Sequence, residues 1–298
     1  MKIGVLLPMA TRDAGRVLGF ARTAEQLGFD GVFAFDHFFP PGAAPDRPSL
    51  EAYATLSAVA RVTSRVGIGT LVTRASLRPV GLLAKQAATI ADVSGGRFVL
   101  GIGTGDALSK AEHDAFGLPY LGPAVRRAHL VETVRALKAL FAGEPWPGGE
   151  HVGPVLGPLF PRPQGSGPPM WIGGVSEAAV RAAATWADGW NGWGLPIERF
   201  EPLARLLAEG SDGRALEATW GGAAVVGRDE DEAGALLADR ARRGISAEVW
   251  AGDAASFAAW LRRLSDAGAR WAIVLPAGAP DRLEVIGEHV LPALGDRS

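Results

Sequence analysis

Short apolar runs alternate with amphipathic stretches from one end of the chain to the other. Continuous apolar runs predict strands over residues 3–7, 31–35, 66–72, 97–101, 170–173, 189–193, 219–226 and 271–275. Between them, helical spacing of apolar positions predicts helices over 17–27, 51–63, 81–92, 126–141, 177–186, 197–209, 230–243 and 255–267. Eight strands with intervening helices predict a (β/α)8 TIM barrel, an α/β fold whose functional groups stand at the C-terminal ends of the strands. A doubly wound sheet is the alternative. It requires a phosphate fingerprint after the first strand, and Pro8-Met9-Ala10-Thr11 is not one.

Two stretches interrupt the rhythm. Residues 143–169 are rich in glycine and proline and predict an excursion over one end of the barrel, while residues 40–48 form a Pro/Ala/Gly loop directly after the second strand. Both are too short for a domain linker, so residues 1–298 are expected to form a single domain. The stretch 94–106, Ser-Gly-Gly-Arg-Phe-Val-Leu-Gly-Ile-Gly-Thr-Gly-Asp, runs a buried strand into alternating glycines and a carboxylate. Glycines at 101, 103 and 105 leave bare backbone against which a flat ligand could lie; the alternative is that they only allow tight packing. They do not form a dinucleotide fingerprint, because the third glycine of that motif would fall on Asp106.

Composition narrows the function classes. The chain has no cysteine, which excludes disulfides, thiolate nucleophiles and zinc–thiolate sites and suggests a reducing cytoplasm. The apolar run at the start is too short for a signal peptide, and no stretch is long enough to span a bilayer. A formal charge of −2 with no basic tract argues against nucleic-acid binding. Glu112, His113 and Asp114 adjoin on a helical stretch and point in three directions, so no metal site is expected. Arg97, Arg126 and Glu132 are expected in structural ion pairs. Trp171, Trp186, Trp190 and Trp193 flank two strand ends, where they could either wall a pocket or fill the core.

Six motifs carry a family resemblance: Asp36-His37, Gly69-Thr70-Leu71-Val72-Thr73, Arg78-Pro79, Ser94-Gly95-Gly96-Arg97, Met170-Trp171-Ile172-Gly173-Gly174 and Ala187-Asp188-Gly189-Trp190-Asn191. In that order and spacing, the chain resembles the luciferase-like monooxygenase superfamily. Asp36-His37 together with Gly103-Thr104-Gly105-Asp106-Ala107-Leu108 resembles its coenzyme F420-dependent branch more than the FMN-dependent one.

The resemblance implies an oxidoreductase that moves a hydride between coenzyme F420 and a small organic substrate. It implies that Thr70, Leu71, Val72, Gly103, Gly105 and Ser109 hold the coenzyme, with a non-proline cis peptide at Leu71-Val72 backing the ring. It places Asp36 at the polar edge of the ring, His37 toward substrate, and Asp106 where some members have a glutamate as proton donor. Ser109 and Pro41 stand where the sugar-phosphate dehydrogenases of that branch have an asparagine and a tryptophan, which argues against glucose 6-phosphate as substrate. Alternation along a strand turns Asp36 and His37 to different sides. The coenzyme phosphate is assigned to Gly173, Gly174, Val175 and Ser176 at the start of a helix, Ser176 being alternatively a plain N-cap. A homodimer is expected from the family. The alternatives are an FMN-dependent monooxygenase served by a flavin reductase and a non-catalytic flavin-binding barrel.

Overall fold

A computed structural model describes residues 1–40, 42–163, 165–245 and 248–295. Eight parallel strands close into a barrel: β1 (Lys2–Leu6), β2 (Gly31–Ala34), β3 (Gly67–Arg74), β4 (Phe98–Gly103), β5 (Met170–Gly173), β6 (Gly189–Trp193), β7 (Glu217–Gly227) and β9 (Trp271–Pro276). Closure runs from β7 through β9 back to β1, so the expected TIM barrel is the observed fold.

One strand escapes the sequence pattern. β8 (Trp250–Asp253) pairs with the upper part of β7, at Ala224–Gly227, outside the closed ring. Its four residues contain no apolar run and pair on one side only.

The barrel helices are α1 (Ala14–Gln26), α2 (Ala52–Val62), α3 (Val80–Val93), α5 (Pro123–Ala142), α6 (Glu177–Trp186), α7 (Ile197–Glu209), α8 (Glu230–Arg242) and α9 (Ala254–Asp266). Side chains of Asp13, Glu51, Ser176, Asp229 and Asp253 cap five of them by accepting first-turn N–H groups, which fixes where each helix leaves its loop. The loop after β4 holds a further short helix, α4 (Ser109–Ala115).

The excursion over residues 143–169 reaches the C-terminal end of β3, where His151, Val152, Pro154 and Val155 line a cleft with Arg78 and Gly81. It packs on the outer flank of α3 and α5: Trp146 and Val155 bridge as antiparallel partners, Arg135 of α5 lies over the Trp146 ring, and Val155 abuts Gly81 of α3. Glu132 of α5 accepts the N–H groups of Glu150, His151 and Val152. Arg97 likewise clamps backbone, donating to the carbonyls of Ala60, Thr63, Val66 and Ser94. Arg126 stacks over Tyr120. The ion pairs expected of these three residues do not form among the described residues: backbone carbonyls take Arg97, backbone N–H groups take Glu132, and Arg126 rests on a ring.

Beneath the C-terminal mouth the barrel is filled by rings. Phe33, Trp171 and Trp271 lie with centroids 5.7 Å apart in each pair. Glycines make the room: a Cβ at Gly31 would stand 2.9 Å from both Phe33 and Trp271, and one at Gly189 2.7 Å from Trp171. Trp171 is therefore core, as is Trp190, which stacks on Phe200 of α7 outside the barrel. Trp186 lies under Arg135, and Trp193 alone of the four reaches the mouth, against Phe35.

Trp171→Ala opens a cavity that its stacked neighbours cannot close. It is expected to cost about 3–5 kcal/mol, seen in a urea melt as a lower midpoint with an unchanged slope.

Candidate active site

The C-terminal ends of β2, β3 and β4 build the mouth, and a bulge in β3 sets their heights. The β3–β4 register slips between Thr70 and Thr73, and the Leu71-Val72 peptide is cis, as the resemblance implies. Val72 fills a notch of three glycines. A Cβ at Gly103 or Gly173 would come within 2.8 or 2.9 Å of its methyls, and one at Gly101 within 2.1 Å of the Thr70 carbonyl. The glycines at 101 and 103 thus admit the protein's own bulge, so their bare backbone is not a surface left over for a ligand. Gly105, at φ +70°, turns the chain out of β4 against the Arg74 stem. Thr70 is fully buried and its hydroxyl donates to the Gly101 carbonyl at 2.7 Å, which ties it into the barrel wall, away from the mouth.

Asp36 and His37 follow β2 and face opposite partners, as strand alternation requires. Asp36 is 2% exposed and receives both forks of Arg78, at 2.5 and 2.9 Å, while Arg78 also reaches Glu51 at 2.6 Å. Burial opposes the charge on Arg78, but its hydrogen bonds to Asp36 and the Asp36 charge hold the guanidinium above its ordinary pKa. Tyr53 completes this group: its ring lies under Arg78 and its hydroxyl meets Thr73 at 2.7 Å. Burial, reinforced by Asp36, pushes the Tyr53 phenol up. Asp36 is therefore the base of a buried ion pair.

His37 turns the other way, onto a residue that motif reading passed over. Its Nδ1 lies 2.6 Å from Oε1 of Glu112, on α4. Glu112 Oε2 accepts from the Phe38 N–H at 2.6 Å and from Arg74 Nη2 at 2.8 Å. Arg74 Nη2 also lies 3.2 Å from the Asp36 carbonyl oxygen, so one guanidinium spans both loops. Burial raises the Glu112 pKa, but the bonds from His37 and Phe38 and the charges of His37 and Arg74 outweigh it and hold the carboxyl below its ordinary value. Its neighbours on α4 point elsewhere, His113 Nδ1 to the Pro119 carbonyl and Asp114 to Lys110.

Asp106 is exposed and anchors the turn into α4. Its Oδ1 accepts from the N–H and the hydroxyl of Ser109, both at 3.1 Å, and its carbonyl accepts from Tyr120 at 2.8 Å. Ser109 is 2% exposed and committed to that turn. The two residues thus position α4, and through it Glu112. Pro41 lies outside the described residues.

At β5, the Gly174 N–H bonds to the Asn191 carbonyl and the Gly174 carbonyl takes Trp190 Nε1, so Gly174 contributes shape and no donor. The Ser176 hydroxyl caps Ala179 at 3.3 Å, the plain N-cap role. The N–H groups of Val175, Ser176 and Glu177 have no partner among the described residues, and they open at the start of α6 as an anion cradle would. The inner mouth is lined by Phe35, His37, Leu71, Val72, Trp193 and Leu275.

Acid stability follows from the Glu112 shift. Its native pKa lies below the ordinary 4.5, so its contribution is complete above that pH and fades as pH falls through the native value. Urea melts across about pH 3–6 should show stability falling on the acid side. The slope should be shallower in Glu112→Gln, which has no proton to take up.

Comparison with known proteins bears on the family and the fold. The F420-dependent glucose-6-phosphate dehydrogenase of Beutenbergia cavernae is 33% identical over 211 residues, 68% of this chain and 59% of that protein. The match therefore spans less than two thirds of that relative's length. In three dimensions, an F420-dependent secondary alcohol dehydrogenase, solved in complex with an F420-acetone adduct, superposes over 99% of both chains with TM-score 0.84 at 20% identity. An EDTA monooxygenase from Chelativorans sp. BNC1 superposes over 100% of this chain and 95% of its own with TM-score 0.81 at 16% identity. Residues 1–285 match the luciferase-like monooxygenase family over its barrel, bulge and mouth, and the chain belongs to that family.

Proposed function

We propose that this protein exchanges a hydride between coenzyme F420 and a small neutral alcohol or carbonyl compound, with His37 moving the accompanying proton. The observation that carries the reading is the His37–Glu112 contact beside the Leu71-Val72 bulge, in a chain whose sequence relatives include F420-dependent enzymes. The residues present fit the coenzyme. The bulge offers backbone to a flat ring, and the partnerless N–H groups of Val175, Ser176 and Glu177 suit a phosphate. When bound, coenzyme F420 supplies two-electron hydride exchange.

The rest is done by side chains. Phe35, Leu71, Val72, Trp193 and Leu275 exclude water from the reacting carbon, and the aromatic filling below keeps the ligand at the mouth. The arginines behind this lining, Arg74 and Arg78, are already paired with Glu112, Asp36 and Glu51. Among the described residues of that lining, both guanidinium charges are already balanced by carboxylates, which favours a neutral substrate over glucose 6-phosphate. The reading takes the chain as one domain over 1–298, acting as a homodimer in the cytoplasm, on the family resemblance. Among the described residues, no helix is long and apolar enough to cross a membrane.

Equilibrium titration of the purified protein tests the coenzyme. F420 should bind at least about tenfold more tightly than FMN, a difference of about 1.4 kcal/mol. The reverse order, with oxygen uptake in the presence of a flavin reductase, would replace this reading with an FMN-dependent monooxygenase; its structural neighbours include monooxygenases. Binding of neither would leave a non-catalytic barrel.

His37→Ala tests the proton role. Glu112 keeps Phe38 N–H and Arg74 as partners in that variant, so the fold and coenzyme affinity should hold. Single-turnover hydride transfer should fall by about 10² to 10⁴. Near-normal transfer with a lowered melting temperature would make the histidine structural.

A further inference from the structure

We propose that Glu112, fixed by Arg74, is a positioning residue that holds His37 in the tautomer with its proton on Nδ1, so that Nε2 carries the lone pair offered to substrate. The inference deepens the hydride-transfer reading and rests on it for its catalytic meaning. The tautomer itself stands on geometry alone.

Glu112 is 1% exposed and accepts from three directions, and each donor limits what the others can do. A backbone N–H and a guanidinium cannot accept a hydrogen bond, so Phe38 and Arg74 both require an acceptor oxygen, and both use Oε2. With its charge held by Arg74, the carboxylate has only acceptor positions left on Oε1. The 2.6 Å contact from Oε1 to His37 Nδ1 then needs the hydrogen on Nδ1. Nε2 of the neutral ring is left unprotonated.

Arg74 cannot easily move. It is 3% exposed, packs over the Phe38 ring at 5.6 Å, and its stem abuts Gly105, while its Nε and Nη1 have no hydrogen-bond partner among the described residues. A buried cation so placed depends on Glu112 for its counter-charge. The other charged groups nearby are turned away: Asp36 faces Arg78, and His113 faces Pro119.

The chemical consequence is directional. In alcohol oxidation, His37 Nε2 would take the O–H proton as the C–O bond becomes a carbonyl, and coenzyme F420, when bound, would supply the two-electron acceptor for the C–H hydride. The ring becomes an imidazolium whose Nδ1–H is already bonded to a carboxylate. In carbonyl reduction the same proton returns from Nε2 to oxygen as hydride arrives at carbon.

The test is nitrogen-15 NMR of the histidine side chains in the coenzyme-free protein, at a pH where the rings are neutral. His37 should show a protonated Nδ1 and an unprotonated Nε2. A wild-type His37 with its proton on Nε2 overturns the proposal without any variant.

Glu112→Gln sharpens it. The amide has one acceptor oxygen, which the Phe38 N–H and Arg74 both claim, so its NH2 must face His37 Nδ1. The proton should then move to Nε2, and hydride transfer should fall by about 10² to 10⁴ with coenzyme affinity and KM little changed. An unchanged tautomer in a folded Gln variant also overturns the proposal. If the tautomer shifts as expected but His37→Ala leaves turnover intact, the positioning stands and the hydride-transfer role of His37 fails.

Discussion

The seat of Val72 among Gly101, Gly103 and Gly173 is the contact on which the mouth depends. Close packing tolerates no second side chain there, since a Cβ at any of the three would enter the space of Val72 or of the Thr70 carbonyl. Because Val72 sits in that notch, β3 slips in register against β4 and resumes pairing at Thr73. The two residues that follow are thereby lifted to the mouth, where Thr73 meets the Tyr53 hydroxyl and Arg74 spans the Asp36 carbonyl and Glu112. A packing detail inside the barrel wall thus decides where the charged groups above it stand.

Those charges fall into two groups that share a loop but not a function. Asp36, Arg78 and Glu51 join the end of β2 to the starts of α2 and α3. His37, Glu112 and Arg74 join the same loop to α4 and β3. In each, a nearly buried carboxylate is satisfied by several donors, the condition under which a charge can be buried without a net penalty. Only the second group includes a partly exposed titratable ring, His37, at 21%. Chemistry is therefore concentrated on one side of a single strand end, with the other side held rigid.

Below both groups, the Phe33, Trp171 and Trp271 rings fill the barrel, so any ligand is confined to its rim. The rim itself combines apolar walls with one imidazole. A partly buried, water-poor setting of this kind strengthens a single hydrogen bond and leaves selectivity to shape.

The sequence by itself determined the barrel. Buried parallel strands read as apolar runs and helices as amphipathic periods, both of them local signals, and the ends of α6 and α7 agree to the residue. The opposite facing of Asp36 and His37 was legible for the same reason, since it needs only the pleat of one strand. β8 was not, because four residues paired on one side leave no period to detect. Nor was the partner of His37. Glu112 lies 75 residues away on a seven-residue helix, inside a charged triplet that looks like any solvated face. Only the parallel pairing that sets β2, β3 and β4 side by side brings it to the ring. The glycines carried a real signal with two meanings, bare backbone for a ligand or room for a neighbour. Tertiary packing chose the second at 101 and 103, because the volume a side chain would need there is already occupied by Val72 and the backbone of its own strand.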